Sequence, residues 1–318
     1  MRRASALIVV PVLAAFAAVG CGSSSSPTSS ASGPAVNESV TATGSFGSAP
    51  KVSIPAEKAG TNLAIKKLIH GNGAALTSSD SFVGNYAAYV WSGTTHKLAT
   101  STYTSSPALF TGSLLTGLKS ALNGATVGSR VLAVIPPKEG FGSAGNSNLG
   151  IKGSDTLVFI VDVVQKFANN AAATGTKVST GGGSLPTVSS SATNPTITVQ
   201  TKNKPPTALT THVLIQGSGA TVKKGQLAVV QYTGVIWRTG KVFDSSWSRS
   251  QPFAFTIGAS PEQVIPGWDK GLVGQAVGSR VMLVIPPADG YGSSGASSAG
   301  IKGTDTLVFV IDILGAVG

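Results

Sequence analysis

GSRVMLVIPPADGYGSSGASSAGIKGTDTLVFVIDIL, residues 278–314, decides the fold, because the chain has already written it once. Residues 128–164 read GSRVLAVIPPKEGFGSAGNSNLGIKGSDTLVFIVDVV. The offset is 150 residues without a gap, and 23 of the 37 positions are identical. Self-similarity at a fixed offset is the signature of a repeated structural unit. Upstream the match continues more loosely: LIHGNG at 68–73 pairs with LIQGSG at 214–219, and NYAAYVW at 85–91 with QYTGVIW at 231–237. Each copy therefore takes up roughly 50–167 or 193–318.

Within the second copy, LAVVQYTGVIW, FAFTI, SRVMLVIP and DTLVFVIDIL are short runs rich in β-branched and aromatic residues, bounded by Gly, Pro or Ser. They predict strands, half buried on one face. One segment breaks the pattern. In PGWDKGLVG, 266–274, Pro266 suits a first helical position and Gly274 a C-terminal stop, while Trp268 and Leu272 lie four apart on one face. A helix of two turns is too short to be stable alone and must pack on the sheet, Trp268 inward.

Composition agrees with an architecture of strands and turns. Of 318 residues, 42% are hydrophobic, only 11% are charged, and 40 are Gly. The net charge of +11 is spread out: no Lys/Arg run exceeds two residues. No ladder of aromatics is interleaved with basic residues, so a nucleic-acid partner is not expected. His70, His96 and His212 fall at no metal-ligand spacing, and Cys21 is the only cysteine, so neither a metal nor another cofactor is expected. No GxSxG elbow is present, and the GGGS stretch does not join a strand to a helix.

The N-terminus, residues 1–20, reads as a signal peptide: a basic MRR, then ALIVVPVLAAFAAV, shorter than the ~20 residues of a membrane span. The small residues leading into Cys21 resemble the lipobox of bacterial lipoproteins, with Ala18 where Leu is usual. Lipid on Cys21 is expected, and with it an exported protein anchored on the outer face of the cytoplasmic membrane or in the cell envelope. Residues 21–49, rich in Ser and Gly, predict a flexible tether, and 168–192 a linker.

Taken in order, VVQYTGVI, GKVFDSSW, PFAFTIG, VIPGWDKGLVG, VIPPADGYG and TLVFVIDI resemble the FKBP-type peptidyl-prolyl cis–trans isomerases. The resemblance covers nearly all of the second copy, and the repeat extends it to the first. It implies an α+β fold in each copy, a curved antiparallel β-sheet wrapped around a short α-helix, with an apolar pocket between them. It also implies a set of roles. Phe243, Asp244, Tyr291 and the Ile265 backbone would act on the twisting bond. Tyr232, Phe253, Val264, Trp268, Ile301 and Phe309 would hold the substrate. Partners would be proline-containing unfolded or exported polypeptides, with inhibitors of the macrolide immunosuppressant type. The alternative use of the same pocket is a non-catalytic chaperone or client-binding module. The loop at 288–303 departs from the family, with AGIKG where a proline-containing segment is common.

The first copy keeps Tyr86, Ile151 and Phe159, but has Leu118 in place of Trp268, Leu114 and Leu115 at the rim, and Phe141 in place of Tyr291. KLATSTY, 97–103, stands where the second copy has KVFDSSW, which sets Ala99 and Thr100 against Phe243 and Asp244, and Ala108 against Phe253. The first domain is therefore expected to fold but to be catalytically degenerate.

Overall fold

The computed structural model describes residues 36–112 and 114–318. The signal peptide, Cys21 and the first part of the expected tether lie outside the described residues. The chain divides into two compact units, the first ending at Lys166 and the second running Phe167–Gly318. Each is α+β, built on an antiparallel sheet with one short α-helix.

The first unit contains β1 (Thr41–Thr43), β2 (Lys51–Ser53), β3 (Ala64–Ile69), β4 (Ser81–Ser92), β5 (Thr95–Ser101), β6 (Ala108–Phe110), α1 (Thr116–Leu122), β7 (Arg130–Ile135) and β8 (Thr156–Phe167). Its main sheet has the order β3-β7-β8-β4-β5, with β6 also paired to β4. The second unit contains β9 (Thr176–Lys177), β10 (Thr187–Val188), β11 (Ile197–Thr198), β12 (Thr210–Gln216), β13 (Leu227–Ile236), β14 (Val242–Ser245), β15 (Phe253–Thr256), α2 (Pro266–Leu272), β16 (Arg280–Ile285) and β17 (Leu307–Val317). Its order is β14-β13-β17-β16-β12-β9, with β15 on β13. The two sheets follow one plan.

The helix falls where the sequence places it, with Pro266 in the first turn and Trp268 and Leu272 buried. Its glycines, poor helix formers, have a packing reason. A Cβ on Gly267 would stand 2.7 Å from Ile285, and one on Gly271 would stand 2.6 Å from Leu283. Their absence lets α2 lie close on β16.

The central strands β13, β16 and β17 correct the expectation of half burial, because they are buried on both faces, while β15 stays partly buried. In β16, Val281, Leu283 and Ile285 join Trp268 and Leu272 in an inner core. Met282 and Val284 point the other way and join Val188, Ile197, Leu214 and Trp237 in an outer one. The first unit repeats this: Val131, Ala133 and Ile135 face Leu118, whereas Leu132 and Val134 pack with Val40, Ala42 and Ile54. An antiparallel sheet apolar on both faces needs a second cover.

That cover comes in part from segments read by composition as tether and linker, which pair with the first residues of each copy, Lys51–Ser53 and Ile197–Thr198. Within 21–49, the part from residue 36 onward is folded: β1 pairs with β2 and buries Val40 and Ala42 on the outer face. Within 168–192, β9 extends the sheet at β12, and β10 pairs with β11 and buries Val188. Such short strands carry at most one apolar residue each, too few for a periodic signal. A buried ion pair holds each cover instead. Arg280 lies opposite Asp312 across β16 and β17 and grips it with Nε at 2.6 Å and Nη2 at 2.8 Å. Its Nη1 and Nη2 also donate to the carbonyls of Ser191 and Ala192, at 2.7 and 2.6 Å. In the first unit Arg130 holds Asp162 in the same way and donates to Gly44 and Ser48 in the β1–β2 turn. A second tie is also repeated: the indole N–H of Trp91 donates to Glu57 O, and that of Trp237 to Asn203 O. Each folded unit thus begins upstream of the boundaries at 50 and 193.

One polar contact is not repeated. Asp305 accepts a two-pronged bond from Arg238, at 2.7 and 2.9 Å, and a third from Lys302 N. That pairing holds the Asp305 carboxyl below its ordinary range. Asp155, its counterpart, accepts from Lys152 N, but among the described residues its buried Oδ1 has no partner, because Ser92 stands where Arg238 does. A buried acceptor without a donor destabilises. The replacement Ser92→Arg is therefore expected to stabilise the first unit by about 1 kcal/mol. Hydrogen exchange of the β7 and β8 amides reads this as slower opening; unchanged or faster exchange would mean Asp155 lacks nothing.

Candidate active site

The inner core of the second unit is an aromatic box. Tyr232, on β13, stands edge-on to Trp268 with ring centroids 5.0 Å apart, and Trp268 meets Phe309 at 5.1 Å. Phe253 lies 5.8 Å from Tyr232, and Phe243 lies 5.4 Å from Phe309. Edge-to-face pairs of this kind suit the ring quadrupoles and fix each ring's orientation. Val264 and Ile265, just before α2, are partly buried against the same cluster, and Ile301 is buried in it. Ile301 is held by a reciprocal bridge to Ala296, at 2.9 and 3.0 Å, which closes the loop at the AGIKG departure.

The polar members sit on one wall. The Tyr232 hydroxyl donates to Asp244 Oδ2, while Asp244 Oδ1 accepts from Ser245 N at 2.8 Å and from Arg249 Nη1 at 2.5 Å. Arg249 Nη2 donates to the Tyr232 hydroxyl at 2.8 Å, and the guanidinium lies 5.7 Å from that ring's centre. Burial, then the bond to Asp244, pushes the Tyr232 hydroxyl far above its ordinary pKa. Burial works against the Arg249 charge, but its bonds to Asp244 and Tyr232 outweigh it and raise its pKa. Tyr291 is 37% exposed, and burial followed by the Asp244 charge raises its pKa too, so it stays a hydroxyl donor. Among the described residues its hydroxyl has no hydrogen-bond partner, and no backbone bond engages the Ile265 N–H. Two donors at the mouth of an apolar box are free for a ligand's carbonyls.

Of the residues singled out in the second copy, Tyr232, Phe243, Phe253, Val264, Ile265, Trp268, Ile301 and Phe309 gather in one apolar cluster, Asp244 is bonded to it through Tyr232, and Tyr291 lies within reach of the Asp244 charge. The reading missed Arg249, which fixes Asp244. Its signal was weak: one basic residue five places after Asp244 in a polar turn.

Strand register settles the first unit's counterparts. Gly234 pairs with Asp244, and Phe243 bulges out beside it, just as Ala88 pairs with Thr100 and Ala99 bulges. Val230 pairs with Phe253, as Gly84 does with Ala108. Ser105 N bonds to Thr102 O as Arg249 N does to Ser246 O, so Ser105 holds the Arg249 place. The Tyr232–Asp244–Arg249 network becomes Tyr86–Thr100–Ser105, without charge. Gly234 is part of the same arrangement: a Cβ there would stand 2.7 Å from Phe309 and 2.8 Å from Phe243. The first unit carries Ala88 here, with Ala99 in place of one of the two rings and Phe159 in place of the other. Gly234→Ala is therefore expected to crowd Phe309 and Phe243 and to destabilise the second unit by about 1–3 kcal/mol in a denaturant titration. An unchanged midpoint would mean that the two rings yield without cost.

The sequence profile described as FKBP-type peptidyl-prolyl cis-trans isomerase matches residues 75–164 and 219–314. The chain is 41% identical over 111 residues to an FK506-binding protein of Streptomyces anulatus, covering 35% of this chain and 88% of that protein. It is 46% identical over 120 residues to FK506-binding protein 2B of Rhizopus delemar, covering 36% of this chain and 56% of that one. To the peptidyl-prolyl cis-trans isomerase FKBP2 of Homo sapiens it is 45% identical over 92 residues, covering 29% and 62%. Each alignment is about the length of one repeat.

Proposed function

This chain belongs to the FKBP-type peptidyl-prolyl cis-trans isomerases, and we propose that its activity resides in the second unit while the first is catalytically degenerate. The observation that carries this assignment is the aromatic box with its Tyr232–Asp244–Arg249 wall, complete in one unit and dismantled in the other.

Rotation about an X–Pro bond faces a barrier of ~18–20 kcal/mol, because resonance gives the C–N bond double-bond character. Halfway round, that resonance is lost, and the carbonyl oxygen carries less negative charge than in the planar amide. An apolar pocket therefore disfavours the planar ground state more than the twisted one, with no nucleophile required. The prolyl ring would enter between Tyr232, Phe253 and Phe309 and rest on Trp268. The Ile265 N–H and the Tyr291 hydroxyl would hold the flanking carbonyls. Asp244, kept in place by three donors, would set the field at the turning carbonyl without exchanging a proton. A millionfold acceleration needs only about 8 kcal/mol in all. Orientation, desolvation and two or three hydrogen bonds can share that. A macrolide of the type the family binds would fill the same box, in the second unit and not in the first.

The double replacement Phe243→Ala/Asp244→Thr, which gives the second unit the first unit's residues, is expected to lower kcat/KM of the full chain about a hundredfold. Tyr86→Phe in the first unit is expected to change nothing. Activity that follows Tyr86 and ignores Asp244 would place the reaction in the other unit.

We also propose that the protein is exported, lipid-anchored through Cys21, and acts on exported polypeptides as they fold. The lipobox-like residues before Cys21 support this reading, as does its being the only cysteine. Cys21→Ser is expected to release the protein into the medium, and mass spectrometry of the native N-terminus to find acylated Cys. An unmodified N-terminus on a membrane-free protein would end the proposal.

A further inference from the structure

Gln231 is fully buried on β13, and as the neighbour of Tyr232 it projects to the opposite face of the strand. Both ends of its amide are used. Nε2 donates to the backbone carbonyl of Asn169 at 2.7 Å, and Oε1 accepts from the Ser246 hydroxyl at 2.5 Å. A carbonyl can only accept, so the Asn169 contact dictates which end of the amide faces it, and Oε1 must face Ser246. The Ser246 hydroxyl has one proton. With that proton committed to Gln231, its lone pairs are left for the Tyr232 N–H, at 2.8 Å. Its competing acceptor, Tyr232 O, is more distant at 3.4 Å and already receives Ser246 N at 3.0 Å. A chain of fixed donor directions therefore runs from Asn169, in the segment leading into the second unit, through Gln231 and Ser246 to the backbone of Tyr232. The Tyr232 phenol orients Asp244 on the pocket side.

The first unit has a looser form of the same chain. Thr102 accepts the Tyr86 N–H at 2.9 Å, but its bond to the half-buried Asn85 stretches to 3.3 Å. Asn85 is one methylene shorter, and among the described residues its amide nitrogen donates to no upstream carbonyl. The full chain occurs only where the pocket wall is complete.

We propose that Gln231 is a positioning residue for isomerisation: anchored by Asn169, it sets the Ser246 hydroxyl and through it the Tyr232–Asp244 wall. The inference rests on the second unit being the isomerase, and the test separates the two. In the full-length protein, Gln231→Asn is expected to lower kcat for a prolyl peptide about tenfold, with KM changed less than about twofold. Ser246→Ala is expected to do the same, which keeps the test open if the Asn variant folds poorly. The pair Gln231→Asn/Ser246→Thr, matching Asn85 and Thr102, is expected to recover part of the loss, because the hydroxyl–amide bond returns without the Asn169 anchor. A purely structural role predicts a lower Tm with unchanged kcat and KM per folded molecule, and that result overturns the proposal. Asp244→Thr is measured alongside. If it retains full activity, the assignment to the second unit fails; if it loses activity while the Gln231 and Ser246 variants keep theirs, only this inference fails.

Discussion

Arginine 280, buried at the start of β16 beside Asp312, is the contact on which the rest of the second unit leans, as Arg130 with Asp162 is in the first. A buried ion pair alone adds little, because desolvating two charges cancels most of their attraction. Here the pair is useful for the donors left over. One guanidinium satisfies a carboxylate and two loop carbonyls at once, and the carboxylate accepts a backbone N–H from an upstream segment: Ala173 in the second unit, Gly47 in the first. The charge pair is thus the clamp that brings a short hairpin down over the outer face of the sheet. Without that cover, Met282, Val284, Val308 and Val310 would meet water, and β16 and β17 could not be apolar on both sides. The inner face, which carries the pocket, is built on strands that the outer cover makes rigid.

This explains what could be read from the sequence and what could not. The repeat, the helix at 266 and the central strands were legible because each rests on large side chains at regular spacing, whereas the residues of the aromatic cluster were picked out only through the family resemblance. The covering hairpins were not, because two- and three-residue strands in Ser- and Gly-rich stretches carry no period. A clue was nevertheless present. RVMLVI is apolar at five of six positions in a sheet of antiparallel connections, and half burial would have called for alternation. The unbroken run meant a second layer, which the stretch read as linker supplies together with Ile197 and Val199. The Arg and Asp at 280 and 312 were equally visible, but as isolated charges in apolar strands they pointed to no partner. Arg249 and Gln231 were illegible for a different reason: their roles come from where a turn and a connector place their partners.

The two units also differ most along one wall of the inner core. The first unit keeps the scaffold contacts, including the Arg–Asp clamp, the tryptophan tie and the loop bridge at Ile151. The changes gather on the inner wall, and they depend on one another. Ala88 lies beside Ala99, where Gly234 lies against Phe243 as well as Phe309. Thr100 leaves the Tyr86 hydroxyl with no carboxylate, and Ser105 then has no charge to hold. Each replacement removes the reason for the next.

It follows that the first unit is not one substitution away from the second. Placing Phe at position 99 would drive its ring into the Ala88 side chain. Placing Asp at position 100 would leave its charge without the guanidinium that Arg249 supplies. Placing Trp at position 118 would require Phe253 and Phe309 counterparts around it, and Ala108 provides only one carbon of the first. Glycine at 88, Phe at 99, Asp at 100, Arg at 105, Phe at 108 and Trp at 118 would have to arrive as a set, because each side chain's position is defined by the others. A pocket assembled from interlocked rings and a shared charge network does not weaken gradually along a mutational path. The two halves of this chain carry two such sets of inner-wall residues on one scaffold.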